Sequence, residues 1–589
     1  TMNELIPKVG QLLKAENDEK TPFQTKYEAL ALIQEQLLKT DVENELDLYI
    51  LNSTASKISF DTLEGNASRQ YMAICEQIIN PLETALDEIL EKVRQSPLWF
   101  QYVLQTFNLK CLQFGQSEQF KSCIKTYDLT DRLYSAVTKL NLPTNNNFYN
   151  YDPQSYSQTD CFNLFVHATF FVAQAHGNNG DAASSATCCA KTLQMQRQLN
   201  NFNKVEFIRN SVDLTRYYTQ NDRFLDSYLV FKQCREVYGE LLAELEGKRR
   251  FVLNRETLNH PDSVMEIEGL ALSEDDLLRR LTDGEQEQVY TFFKELVGFY
   301  VQLLNYALLL QLDVTTTDTG MSFQDFLVLL DQKAPFSVSL QFVNDLFEEA
   351  GQQAEKALQF FKLDGFTTSH CQILLDKSTL LALHSRFQLF DLVSFQSQRV
   401  KLLLQISTEL SSQHFPDLCE EIQEHLCEAR YEIFDHQYKK LISKQPEIDR
   451  QLYKFTQFPD LKLEIAKVCS SATSSVEQFQ KLIEEAEKIA VYRCRVQTNA
   501  QNAQFEQWIR YMHEDSLQAY VDAVFRQALV FSKIPTETRK QMMQRAMLGF
   551  EYCQKVWEWM GKNGKGDMGE NLKYVAEMLK LMKVRLGQL

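Results

Sequence analysis

Apolar residues return every three or four positions along most of this chain, and strict alternation is rare. From Trp99 to Gly115 the stripe is Val103, Leu104, Phe107 and Cys111, and Gly115-Gln116-Ser117 ends it. That spacing gathers the apolar side chains on one helical face, which must be buried against a neighbour. A second helix is predicted over Phe120–Leu140, with Ile124, Tyr127, Leu129 and Leu133 on its stripe. Pro143 to Asn147, extended through Asp152-Pro153, reads as a loop. The pattern then returns as pairs. Cys161–His176 and Ala182–Leu199 flank Gly177-Asn178-Asn179-Gly180, and Val205–Thr219 and Phe224–Leu242 flank Gln220-Asn221-Asp222. Ala182, Ala186 and Ala190 recur four apart, a ridge of small residues that lets another helix approach closely.

Paired helices of this kind predict tetratricopeptide-like hairpins, each burying its apolar face against the next. Onsets near 99, 161 and 205 keep no strict period, so the repeats are degenerate. The expected fold is all-α, a right-handed α-solenoid of degenerate TPR-like helical hairpins in two lobes joined by a long linker helix. Residues 1–245 form the N-terminal lobe. Residues 246–285 break the pattern with Lys248, Arg249 and Arg250, then an acidic stretch from Glu266 to Asp276 with Pro261 and Gly269 nearby. They predict a charged flexible linker. Residues 286–314 should be the linker helix and 315–589 the C-terminal hairpin lobe.

Composition narrows the choice further. Only 19 Gly and 12 Pro in 589 residues are too few for the turns of a sandwich or barrel, so mostly helix and no sheet are expected. A net charge of −18 argues against nonspecific nucleic-acid binding and suits a basic partner. Thirteen scattered Cys contain no C-x-x-C, and Cys188-Cys189 is the one close pair; they read as small core hydrophobes of a reducing compartment. Met2-Asn3-Glu4-Leu5 lacks the basic and apolar regions of a signal peptide. Leu296–Leu312 is interrupted by Gln302, Asn305 and Gln311, which suits a buried helix better than a membrane span. A cytoplasmic protein is expected.

Catalytic chemistry has little to stand on. G-x4-G-K-[ST] does not occur, and the G-x-G-x-x-G spacing of Gly564, Gly566 and Gly569 falls within Gly561–Gly569, which lies between two helices with no strand before it. His425 and His436 are eleven residues apart, too far along a helix to share a metal. Cys371 follows His370, but adjacent helical residues point about 100° apart. No enzyme, cofactor or metal is expected.

The stretch Lys356–Leu404 is the most distinctive. Phe360-Phe361 leads through Leu363 into Asp364-Gly365-Phe366, then Thr368 and His370, followed by Asp376-x-Ser378-x-Leu380 and Gln398-Arg399-Val400. Asp364-Gly365 is expected to stop one helix, with Gly365 at positive φ, and Thr368 or Ser369 to cap the next. This order resembles the C-terminal region of the kinesin-binding protein family (KIF-binding protein). Further segments resemble it in the same order. They are Pro22-Phe23-Gln24-Thr25-Lys26-Tyr27-Glu28-Ala29, the helix His167–Gln174, Thr192-Leu193 with Arg197-Gln198-Leu199, Phe525-Arg526 with Ala528 and Lys533-Ile534, and Leu548–Trp559. The chain departs from the pattern between about 40 and 95 and in the linker, as a divergent member would.

The resemblance implies a non-enzymatic, cytoplasmic and cytoskeleton-associated monomer that grips kinesin motor domains and blocks their attachment to microtubules. The alternative is a TPR adaptor that captures a partner's peptide tail. Such adaptors hold carboxylates with Lys and Arg, and the helix 161–176 has neither. Loops between paired helices lie along one edge of a solenoid, where a partner can reach them. Gln116, His176, Asn178, Asn179, Tyr218, Gln220 and Asn221 are therefore the candidate partner-binding residues.

Overall fold

Helix starts in the computed structural model follow side-chain capping chemistry. Asn44, Asp181, Ser273, Thr282, Ser322 and Ser339 each accept a first-turn backbone N–H. Thr282 and Glu285 form a full capping box. The structure describes residues 2–15, 23–38, 44–79, 86–140, 158–199, 202–257, 273–316, 320–333, 336–387, 391–445, 461–498, 505–512, 514–535, 538–565 and 568–588. The loop expected at Pro143–Pro153, and Pro261, Glu266 and Gly269 of the expected linker, lie outside them.

Two compact units divide the chain, one of residues 1–217 and 230–244, the other of 218–229 and 245–589. The first carries α1 (Met2–Lys14), α2 (Gln24–Leu38), α3 (Glu45–Asp61), α4 (Gly65–Ile79), α5 (Leu86–Gln95), α6 (Leu98–Gln116), α7 (Phe120–Val137), α8 (Gln158–Asn178) and α9 (Ala182–Gln196). The division then passes through α10 (Lys204–Gln220) and α11 (Phe224–Thr257). In the first unit α3 packs on α4, α6 on α7, α7 on α8 and α8 on α9, which is the neighbour-to-neighbour order of stacked hairpins. The α3–α4–α6 region holds a polar joint. Ser56 and Ser68 exchange hydroxyl-to-carbonyl bonds of 2.8 Å between α3 and α4, and the Tyr49 hydroxyl donates to Thr106 Oγ1 at 3.0 Å. Short hydroxyl side chains bring the helices together there while satisfying their own polarity.

The second unit carries α12 (Glu274–Leu278), α13 (Asp283–Leu309), α14 (Phe323–Asp331), α15 (Leu340–Phe360), α16 (Thr367–Phe387), α17 (Leu392–Glu409), α18 (Pro416–Lys444), α19 (Lys462–Thr498), α20 (Glu514–Lys533), α21 (Arg539–Lys562) and α22 (Gly569–Gln588). Its helices also pack in chain order, from α15 on α16 through to α21 on α22. The fold is the expected all-α solenoid of hairpins. One core, from Phe434 and Phe479 through Tyr520 and Phe550 to Trp557, runs from α18 to α22.

Some expectations need correction. A two-stranded parallel sheet does exist, β1 (Asp313–Thr315) paired with β2 (Ser337–Ser339) on either side of α14. Val338 is buried, so the extended backbone beside it must find hydrogen bonds, and the other extended segment supplies them. The supposed linker is partly helical: α11 runs on to Thr257, carrying Lys248, Arg249 and Arg250, and α12 lies within 273–285. The long helix expected over 286–314 is α13, which ends at Leu309 and packs on α15 and α16 inside the second unit. All thirteen cysteines are free thiols. Burial pushes Cys75 and Cys427 up to about 12, as suits packing groups and not nucleophiles.

Candidate partner-binding surfaces

Three hairpin turns carry the seven residues singled out by sequence, and all three close in one way. Glu118, Gly180 and Asp222 take φ of 57°, 83° and 57°. After each, the next N–H returns to a carbonyl five residues back: Gln119 to Phe114, Asp181 to His176, and Arg223 to Tyr218. This is the Schellman closure, which satisfies carbonyls left open at a helix end. Leu63 (φ 67°) and Gly564 (φ 69°) close the α3–α4 and α21–α22 turns identically, through Glu64 to Ser59 and Lys565 to Met560. The repeat therefore lives in the turn geometry, without a fixed spacing in the sequence.

Gln116, Asn178, Asn179, Gln220 and Asn221 are exposed, as an edge residue must be. Tyr218 is not. Its ring is buried, with the Arg223 guanidinium 4.4 Å from the ring centroid, because the tyrosine precedes the turn by a full helical turn and points inward. His176 is half-buried, with Nδ1 3.4 Å from Asp181 Oδ2 across its own turn. The first two turns belong to the first unit, and Tyr218, Gln220 and Asn221 to the second.

The distinctive stretch from Lys356 to Leu404 forms a joint. At its start Phe360, Phe361 and Phe366 cluster with centroids 4.9 to 5.4 Å apart, and Phe360 stacks on Tyr290 of α13. His370 holds the Phe361 carbonyl through Nδ1 at 2.8 Å, and the Thr367 hydroxyl donates to the Leu363 carbonyl at 2.8 Å. Side chains thus close the α15–α16 corner. Gly365 has no positive φ, contrary to expectation, and α16 begins at Thr367 with the Phe366 N–H returned to the Lys362 carbonyl.

Farther along, Arg399 is almost fully buried between α16, α17 and α18. Its guanidinium donates to Ser378 Oγ at 2.8 Å and to Glu428 Oε2 at 2.6 Å, and Nη2 stands 3.2 Å from His425 Nδ1. Burial works against a charge on Glu428, but Arg399 outweighs it and holds the carboxyl below its ordinary range. Burial, then the Arg399 charge, push His425 down to about 4, so it is neutral and accepts at Nδ1. Near the C-terminus, Gly549 of α21 faces Ala528 of α20 so closely that a Cβ there would lie 2.8 Å from the Ala528 Cβ. Phe525 rests against Phe550, Trp557 and Tyr574.

Comparison with known proteins decides the family. A family model described as "KIF-1 binding protein C terminal" matches residues 301–589. The KIF-binding protein of Gallus gallus is 19% identical over an alignment covering 97% of this chain and 94% of its own length. That of Danio rerio is 21% identical over 72% of this chain and 65% of its own length, and that of Dictyostelium discoideum 22% over 70% and 72%. Residues 301–589 belong to the KIF-binding protein family, and the relatives carry the similarity over nearly the whole chain. The residues that carry the family resemblance turn out to be corners and cores. Ser378, Arg399, His370, Ala528 and Gly549 hold helices together, and Lys26 pairs with Asp61 at 3.6 Å. Among the described residues, no group of three or more His, Cys, Asp or Glu could hold a metal, and no helix is long and apolar enough to cross a membrane.

Proposed function

We propose that this chain binds the motor domain of a kinesin and keeps it from attaching to microtubules, as a cytoplasmic, cytoskeleton-associated monomer that hydrolyses nothing itself. The observation that carries the reading is the match to relatives named KIF-binding protein along 97% of the chain. The charge of −18 supports it, because a motor's track-binding face must be basic to meet an acidic microtubule surface. An acidic protein competes for such a face by the same electrostatics. The exposed turn residues Gln116, Asn178, Asn179, Gln220 and Asn221 are the contacts proposed for this role.

The test is microtubule co-sedimentation of a purified kinesin motor domain, with and without a saturating excess of this protein. The motor should shift from pellet to supernatant. An unchanged pellet fraction in the presence of a demonstrated complex would reject the inhibitory part and leave binding alone.

A further inference from the structure

A cavity of about 250 Å3 opens between α18, α19 and α20 of the second unit. Phe479, Leu482 and Ala523 give it an apolar wall, and Glu424, Asp522 and Arg526 bring charge to it. The charges are not matched as they are elsewhere in the unit. Glu428 has Arg399, Asp435 has Lys533 and Lys439, and Glu274 has Lys356. Among the described residues, Glu424 has no cation within ion-pair distance. It feels instead the like charges of Glu420, Glu421 and Asp522, and burial with that repulsion pushes it up to about 7. Among the described residues Asp522 accepts from Gln518 at 3.0 Å, and burial raises it against the lowering pull of that bond and of the Arg526 charge. Arg526, one helical turn along from Asp522, lies over the Tyr431 ring at 5.5 Å without forming an ion pair with Asp522. Two carboxylates are thus left half-desolvated beside an apolar wall, an arrangement that costs the free protein stability and that a cation would relieve.

We propose that this cavity receives one lysine or arginine side chain of the bound partner, its alkyl stem on Phe479 and Leu482 and its cation on Glu424 and Asp522. Such side chains are built for that environment, apolar along the stem and charged at the tip. A small anion is repelled by the same carboxylates, and a neutral apolar group would leave them unpaired. The proposal rests on the reading of the chain as a binder of a basic motor domain, and it names a place on the second unit where that basicity is read.

The test compares the full chain with Glu424→Gln/Asp522→Asn, which keeps shape and removes charge, and with Ala519→Leu, which fills the cavity and keeps charge. Affinity for a purified kinesin motor domain is measured by titration calorimetry, and each variant's melting temperature is recorded. Both variants should bind at least tenfold more weakly, and the charge variant should melt no lower than the parent because a repulsion has been removed. If the parent does not bind the motor domain, the functional reading fails and this proposal falls with it. If the parent binds and the charge variant binds equally well, the cavity proposal alone is overturned. A charge variant that melts lower overturns it too, since the carboxylates would then be holding the fold.

Discussion

Arg399 shows how much a single residue carries in this unit. At 1% exposure its guanidinium is satisfied by Ser378, Gln396, His425 and Glu428, which occupy its donors. Removing it leaves Glu428, beside a neutral histidine, with the half-exposed Arg386 at 3.6 Å, and loss of one partner of a buried pair costs about 3–5 kcal/mol. Arg399→Ala should therefore destabilise the second unit by about 3 kcal/mol or more, read as a lower urea midpoint of its unfolding transition. Adding Glu428→Gln should recover part of the loss. Glu424 poses the opposite case. Its folded-state value near 7 exceeds the unfolded carboxyl value, so the native state holds the extra proton. Its contribution is fully present below the unfolded value and is lost as pH rises through about 7. Glu424→Gln should flatten the fall in stability between about pH 4.5 and 7, measured by melting temperature against pH. His425 acts in the other direction: its contribution is present above its unfolded value and is lost as pH falls toward about 4.

At the scale of the element, hairpins are joined by one turn geometry and pressed together by small residues. Leu63, Glu118 and Asp222 adopt the left-handed conformation without being glycine, at a cost of about 1 kcal/mol each that the closure of the helix end offsets. The turns at Glu118, Gly180, Asp222 and Gly564 were legible from breaks in the apolar stripe, and the one at Leu63 was not. Their common closure was not, because only Gly180 and Gly564 announce it. Gly549 marks the tightest approach of α20 and α21. A methyl group there would press on Ala528, so Gly549→Ala should cost about 1–3 kcal/mol. A thermal melt lowered for Gly549→Ala and restored in part by pairing it with Ala528→Gly would check that assignment.

For the whole molecule, the governing quantity is charge. At −18, long-range attraction to a basic partner should dominate the encounter, and salt should weaken it. Between roughly 50 and 300 mM salt the screening length falls from about 14 to about 6 Å. Motor binding should weaken steadily over that range, chiefly through the association rate, as stopped-flow mixing would show. A salt-independent association rate would place the contact on apolar surface. The C-terminal family match lies wholly in the second unit.

The sequence by itself determined the helical class, the hairpin pairs and the family. Amphipathic periodicity is a local property, and the residues at corners and close contacts keep their order along the chain. It could not show that Tyr218 turns inward, since exposure at a turn depends on which way the preceding helix faces its neighbour. Nor could it show the β1–β2 pair, whose strands of three residues each owe their hydrogen bonds to what is buried beside them. Arg399 lies on a different helix from His425 and Glu428, and Glu424 and Asp522 likewise come from separate helices. Charges become paired or stranded only when packing brings distant segments together and removes water, so their energetics belong to the tertiary structure alone.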